Sequence, residues 1–220
     1  PESVRDHSQH RAELLEDRDW EREWMRHYRP MRYGDRLWLC PSWLTPPDPT
    51  AINLLLDPGL AFGTGTHPTT AMCLEELACR ELEGTAVIDY GCGSGGVGIA
   101  ARLLGAATTH AVDNDPQALA ATTANGALNG LSMANLKVYP HGELPAAVDA
   151  DLVIANILAG PLQQLATLLT HHLRPGGTLV LSGILAEQAD AVSAAYAGCV
   201  PLAITRQQEG WVALTGRHSG

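Results

Sequence analysis

The chain has 220 residues, 45% of them hydrophobic, enough for one α/β domain with an appendage, burying roughly 70% of its unfolded surface. No stretch approaches the roughly 20 apolar residues of a membrane span, and Pro1–Asp6 lacks a basic-then-apolar leader, so the expectation is a cytoplasmic protein without membrane contact. A formal charge of −10 argues against direct binding of a nucleic-acid backbone and suits a basic protein partner.

Residues 1–28 are highly charged, with Leu14, Leu15, Trp20, Trp24 and Tyr28 at near-helical spacing, which predicts an amphipathic linker helix. Residues 30–49 suit a short hairpin or an extended wrap that closes on prolines, with Trp38 and Trp43 as packing residues. A boundary near residue 50 divides a linker and connecting segment, 1–50, from a catalytic domain, 51–220. Asp57 to Thr70 is too glycine-rich for a regular element. Thr66 or His67 flanks a helix cap there, Pro68 suits the first turn, and the glycines among hydroxyls predict a mobile lid over a polar ligand.

Beyond the lid the pattern becomes regular. It predicts a helix over 67–82, strand 86–90, helix 95–104, strand 108–112, helix 115–129 and strands 136–139 and 151–155. Helix 160–173, strand 178–182, helix 185–197 and strands 199–206 and 210–216 complete it. Alternating strands and helices imply a Rossmann-like, doubly wound parallel sheet. The last two strands, joined by Gln207–Gly210, form an antiparallel hairpin at one edge. This α/β layout is that of the class I S-adenosylmethionine-dependent methyltransferases. Five cysteines without a C-x-x-C pair read as reduced, buried thiols. The close histidine pair, His171–His172, lacks the i, i+4 spacing of a helical metal site, so no metal is expected.

Val87 to Gly95 is the richest chemical stretch. Val87 and Ile88 end a buried strand, and Gly91, Gly93 and Gly95 let a ligand approach bare backbone at a helix start. Asp113 stands 22 positions after Gly91 at the end of the next strand, where a carboxylate accepts both ribose hydroxyl hydrogens. Gly91, Gly93 and Gly96 also satisfy the dinucleotide pattern, which alone is a weak signal. Asp89 discriminates better: a carboxylate before the glycines repels a pyrophosphate and attracts an ammonium or sulfonium, and S-adenosylmethionine carries both. The plainer alternative is that Asp89 caps the loop by accepting backbone N–H bonds. Asn156 follows strand 151–155 at a carboxyl end of the sheet, where its amide oxygen can accept a hydrogen bond from an amine; alternatively it caps the helix near Pro161.

The stretches LDPGLAFGTGTHPTT, VIDYGCGSG, AVDNDPQAL, ANILAGPL and SGILAEQ resemble those of the PrmA family, bacterial methyltransferases of large-subunit ribosomal protein eleven. The resemblance runs from about Trp20 to Arg217. It implies a protein N-methyltransferase acting on lysine side chains and the amino terminus of that basic ribosomal protein, with S-adenosylmethionine as donor. It also implies cofactor contacts at Thr70, Gly91, Asp113 and Asn156. With Gly93 of the loop, these are the candidate cofactor-binding residues, and Asn156 is the candidate catalytic residue. Two departures stand out. Gly96 and Gly98 replace bulkier residues and should loosen their helix by roughly 1 kcal/mol each. The family's N-terminal substrate-recruiting domain has no counterpart here, which suggests a truncated catalytic fragment. A nucleotide-dependent dehydrogenase and a catalytically impaired cofactor-binding module are the competing readings.

Overall fold

The structure is a computed structural model that describes residues 28–57 and 65–219. The expected linker helix, apart from Tyr28, and the centre of the expected lid, 58–64, lie outside the described residues.

Runs such as Val87–Ile88 and Leu152–Val153–Ile154 are apolar at consecutive positions because their strands are covered on both faces, as parallel sheets require. The small sheet comes first: β1 (Met31–Tyr33), β2 (Leu37–Pro41) and β3 (Ile52–Leu56). The main sheet holds β4 (Ala86–Tyr90), β5 (Thr108–Asp113), β6 (Leu136–Pro140), β7 (Ala150–Asn156), β8 (Leu173–Leu185), β9 (Leu202–Gln208) and β10 (Trp211–Arg217). Its order is β6-β5-β4-β7-β8-β10-β9. Neighbours from β6 through β8 pair in parallel, and β10 runs antiparallel to both β8 and β9. The expected doubly wound sheet with an antiparallel edge hairpin is therefore present. The chain winds outward from β4 to β6, then resumes on the other side of β4 with β7, and that reversal opens a crevice at the carboxyl ends of the strands.

The helices are α1 (Pro68–Ala78), α2 (Gly96–Leu103), α3 (Pro116–Leu128), α4 (Ala159–Gln164), α5 (Ala166–His171) and α6 (Ala189–Tyr196). Two begin alike: His67 caps α1 and Asp115 caps α3, each accepting a backbone N–H two residues on, and each followed by a proline whose missing donor costs nothing there. One apolar cluster joins α1, α2 and the small sheet through Tyr33, Leu39, Leu54, Leu74, Leu77 and Ile99, and a second joins the opposite face through Ile88, Val153, Leu162, Leu169 and Val192.

Several boundaries differ from expectation. The hairpin expected within 30–49 is β1–β2, and β3 joins it in parallel, so the small sheet spans residue 50. The first regular helix stops at Ala78 rather than 82, with Cys79 as its C-cap. The expected helix 160–173 is two short helices that meet at Leu165. Strand β8 reaches from Leu173 to Leu185: Leu173 pairs with Ala150 of β7 at its start, and β10 pairs with it from Thr178 to Leu185. Cys40, Cys73 and Cys92 are buried as expected, but Cys79 and Cys199 are exposed because they fall in turns that end helices. All five are free thiols, and burial pushes the Cys73 thiol up to about 12. Among the described residues no helix is long and apolar enough to cross a membrane.

Candidate functional site

The glycine loop begins where β4 ends. Gly91, Gly93 and Gly95 all have positive φ, and Gly91 has a second constraint: a Cβ there would collide with the Ile157 side chain across the crevice. The Gly91 and Cys92 amides donate to the Val112 carbonyl at 2.8 and 3.0 Å, which ties the turn to the neighbouring strand. At the tip of β5, Asp113 accepts from the Gly93 amide at 2.9 Å through one oxygen and from the Asp115 amide at 3.0 Å through the other. Each oxygen keeps a second lone pair for a ligand.

Asp89 differs from the favoured expectation. It is 1% exposed, does not line the crevice, and accepts the Gly98 amide of α2 at 2.7 Å. Burial pushes its carboxyl up to about 7, against the pull of the Gly98 bond and with help from the negative Asp113. Its task is the alternative one, capping the loop–helix junction. The reason is strand alternation: Asp89 points to the α2 face, and Tyr90 to the opposite one. The same contact explains Gly98. A Cβ there would lie 3.0 Å from the Thr109 methyl and 3.1 Å from the Asp89 carboxylate, so this glycine permits close helix–strand packing rather than loosening the helix.

Gly91, Gly93, Asp113 and Asn156 all line one crevice of about 720 Å³ at the carboxyl ends of the strands. Thr70 does not line it. It sits behind, 1% exposed, with its hydroxyl accepting from the Asn156 amide nitrogen at 3.2 Å. That bond turns the Asn156 amide oxygen away from Thr70, and the oxygen is buried with no hydrogen-bond donor among the described residues. A buried acceptor left unsatisfied costs stability and is suited to an incoming N–H donor. Ser182 on β8 anchors the same corner by donating its hydroxyl to the Thr69 carbonyl at 3.0 Å.

Four wall residues escaped the sequence reading in this role: His67, Tyr90, His141 and Trp211. His67 packs edge-on against Trp211 with ring centres 5.2 Å apart, so α1 meets the terminal hairpin at the crevice. The Tyr90 hydroxyl lies 2.7 Å from His141 Nδ1. No local pattern could link residues 51 or 144 positions apart; only the position of Tyr90 beside Gly91 hinted at a strand end.

A parallel sheet with an antiparallel strand inserted next to its edge, and a glycine loop at the switch point followed by a strand-end carboxylate, define a class I S-adenosylmethionine-dependent methyltransferase. S-adenosylmethionine is the cofactor of such enzymes and of this one. The residues fit it: bare backbone at Gly91, free lone pairs on Asp113 for a ribose, and the vacant Asn156 acceptor beside them. The chain belongs to the PrmA family, matching the description "Ribosomal protein L11 methyltransferase (PrmA)" over residues 2–219. The ribosomal protein L11 methyltransferase of Pseudomonas aeruginosa strain LESB58 is 55% identical over 210 residues, 96% of this chain and 71% of that one. The crystal structure of the ribosomal protein L11 methylase of Lactobacillus delbrueckii subsp. bulgaricus superposes with a TM-score of 0.77 at 30% identity, over 88% of this chain and 100% of that one. A methyltransferase crystallised with SAH shares the fold at a TM-score of 0.58 and 15% identity, over 70% of this chain and 50% of that one. The dehydrogenase reading is set aside, and the chain is a methyltransferase.

Proposed function

We propose that this chain methylates amino groups, lysine side chains and the amino terminus, of ribosomal protein L11. One observation carries the reading: the buried, undonated Asn156 oxygen, fixed by Thr70, shares a crevice with the glycine loop and Asp113. When bound, S-adenosylmethionine supplies an electrophilic methyl on a sulfonium. Asp113 accepts the ribose hydroxyls while keeping Gly93 in place, and Gly91 and Gly93 let the ligand meet bare backbone. Asn156 accepts an N–H of a neutral amine and directs its lone pair along the line of displacement, a contribution of alignment rather than of proton removal. An amide is not a base, so the amine loses its proton to solvent. The charge of −10 supports a basic ribosomal protein as partner, with no direct role for nucleic acid or membrane, in the cytoplasm. The residues named all fall in 51–220, which we take as the catalytic unit, with 1–50 as linker and connecting segment.

The test is the intact mass of L11 after incubation with the chain and S-adenosylmethionine. The expected product gains whole methyl increments that peptide mapping places on lysines and the amino terminus. Asn156→Ala should lower kcat by roughly 100-fold, the scale of lost alignment, and change the affinity for S-adenosylhomocysteine much less. L11 unchanged in mass under conditions where the chain binds the cofactor would overturn the assignment.

A further inference from the structure

The wall pair Tyr90–His141 is the strongest unassigned chemistry in the molecule. Tyr90 closes β4 and is 5% exposed; His141 follows β6 directly and is exposed in the crevice. Strand β5 lies between them, so the pair reaches over the strand that ends in Asp113. Two anchors fix His141. Its backbone N–H donates to the Asp113 carbonyl at 2.7 Å, and its ring meets the Tyr90 ring edge-on, at 87°, with Nδ1 2.7 Å from the hydroxyl.

The direction of that hydrogen bond follows from what else Tyr90 can reach. Its hydroxyl has one proton and, among the described residues, no other partner. Were His141 the donor, that proton would have no partner among the described residues. Tyr90 therefore donates, Nδ1 accepts, and the imidazole proton sits on Nε2. The tautomer is set by the tyrosine, and the histidine offers one donor, Nε2–H, to the crevice.

Strand order says what meets that donor. Across the crevice the strand ends run Asn156 on β7, Gly91 after β4, Asp113 on β5 and His141 after β6. A nucleoside with its reacting end near Asn156 and its ribose on Asp113 places its base beyond Asp113, toward β6. We propose that His141 Nε2–H donates to a ring nitrogen of the adenine, and that Tyr90 is a positioning residue that holds the histidine in the donating tautomer. This rests on the reading of Asp113 as the ribose acid.

Calorimetry with S-adenosylhomocysteine tests it. His141→Ala should weaken binding about tenfold, the net value of one hydrogen bond, and His141→Gln, which keeps a donor near the Nε2 position, should recover most of the loss. Tyr90→Phe keeps the ring and should weaken binding several-fold. The double variant Tyr90→Phe/His141→Ala should bind no worse than His141→Ala alone, because the tyrosine acts only through the histidine. In ¹⁵N spectra His141 should be the Nε2-protonated tautomer, and a mixture in Tyr90→Phe. Losses that add in the double variant, or an unchanged affinity in His141→Ala while Asp113→Ala binds weakly, overturn the pair's role. Unchanged affinity in Asp113→Ala overturns the ribose reading itself, whatever His141 does.

Discussion

Two aspartates flank the glycine loop and differ in what reaches them. Asp113 faces the crevice; removing it deletes the carboxylate we propose for the ribose together with the tie to the Gly93 amide. Asp113→Ala should weaken S-adenosylhomocysteine binding by about 1.5–3 kcal/mol, the scale of hydrogen bonds to a charged group, and unchanged calorimetry with an intact fold would refute this. Asp89 is buried, and its effect shows as a pH dependence of stability. Its folded-state value of about 7 stands above the roughly 3.9 of an unfolded aspartate, so between those values the folded chain holds a proton that the unfolded chain has released. The group's stabilising share is complete below the lower value, declines as pH rises through the window, and is lost above the upper one. Asp89→Asn should therefore flatten part of the decline in urea midpoint between pH 4 and pH 8, and equal slopes in the two proteins would sink the argument. Spacing from Gly91 made the position of Asp113 at the end of β5 legible, because an offset along the chain maps onto strand length. Asp89 was misjudged because adjacency to the glycines does not reveal which face of a strand a side chain occupies. Gly98 was misread for a related reason: helix propensity is a local quantity, and the closeness of Asp89 and Thr109 is not.

Elements were legible where their signal was local. The β4-to-β7 alternation, the proline-led helices α1 and α3 and the terminal hairpin all follow from periodicity and caps within each segment. The full length of β8 was not, since its added residues owe their strand to partners distant in sequence: Leu173 pairs with Ala150 of β7, and Ile184 and Leu185 pair with β10. The hairpin in turn depends on α1. Arg206 of β9 reaches Glu75 and Glu76 at 3.1 Å each, and Arg80 shares Glu76, so α1 and β9 are joined by a partly buried charge network. Glu76 holds the Arg206 guanidinium above its ordinary range against the cost of burial. Because Trp211 follows β9 by one turn and packs on the His67 cap, this network also sets one wall of the crevice. Arg206→Ala should cost roughly 1–3 kcal/mol in chemical denaturation, speed amide exchange over 202–217, and raise KM for the protein substrate more than it weakens S-adenosylhomocysteine. Exchange left unchanged across the hairpin would mean that backbone pairing with β8 alone holds it.

At the scale of the whole molecule, the small sheet and the glycine loop are joined through one helix. On α3, Asn125 accepts the Asp57 amide at 3.0 Å and donates to the Ser94 carbonyl of the glycine loop at 2.9 Å. One turn later Asn129 accepts the Leu55 amide at 2.9 Å and donates to the Leu55 carbonyl at 2.7 Å, completing a backbone-like pairing at the end of β3. Both asparagines occupy buried or half-buried positions, where a hydrogen bond is costly to lose. At the approach to α1, the Gly65 carbonyl is itself held by the Tyr33 hydroxyl of β1 at 2.9 Å. Ligand binding at the glycine loop should therefore steady the small sheet although no residue of β1–β3 lines the crevice. S-adenosylhomocysteine is expected to slow amide exchange over 31–57 and over 65–70, and Asn125→Ala should abolish the first effect while preserving most of the second. The variant should also lose roughly 1–3 kcal/mol of stability, since the Asp57 amide, the Asp57 carbonyl and the Ser94 carbonyl lose a partner at once. If ligand slows exchange over 31–57 equally in wild type and Asn125→Ala, the coupling runs through the shared apolar contacts of Leu54 and Leu56 with α1 and α2, and the asparagine has no part in it.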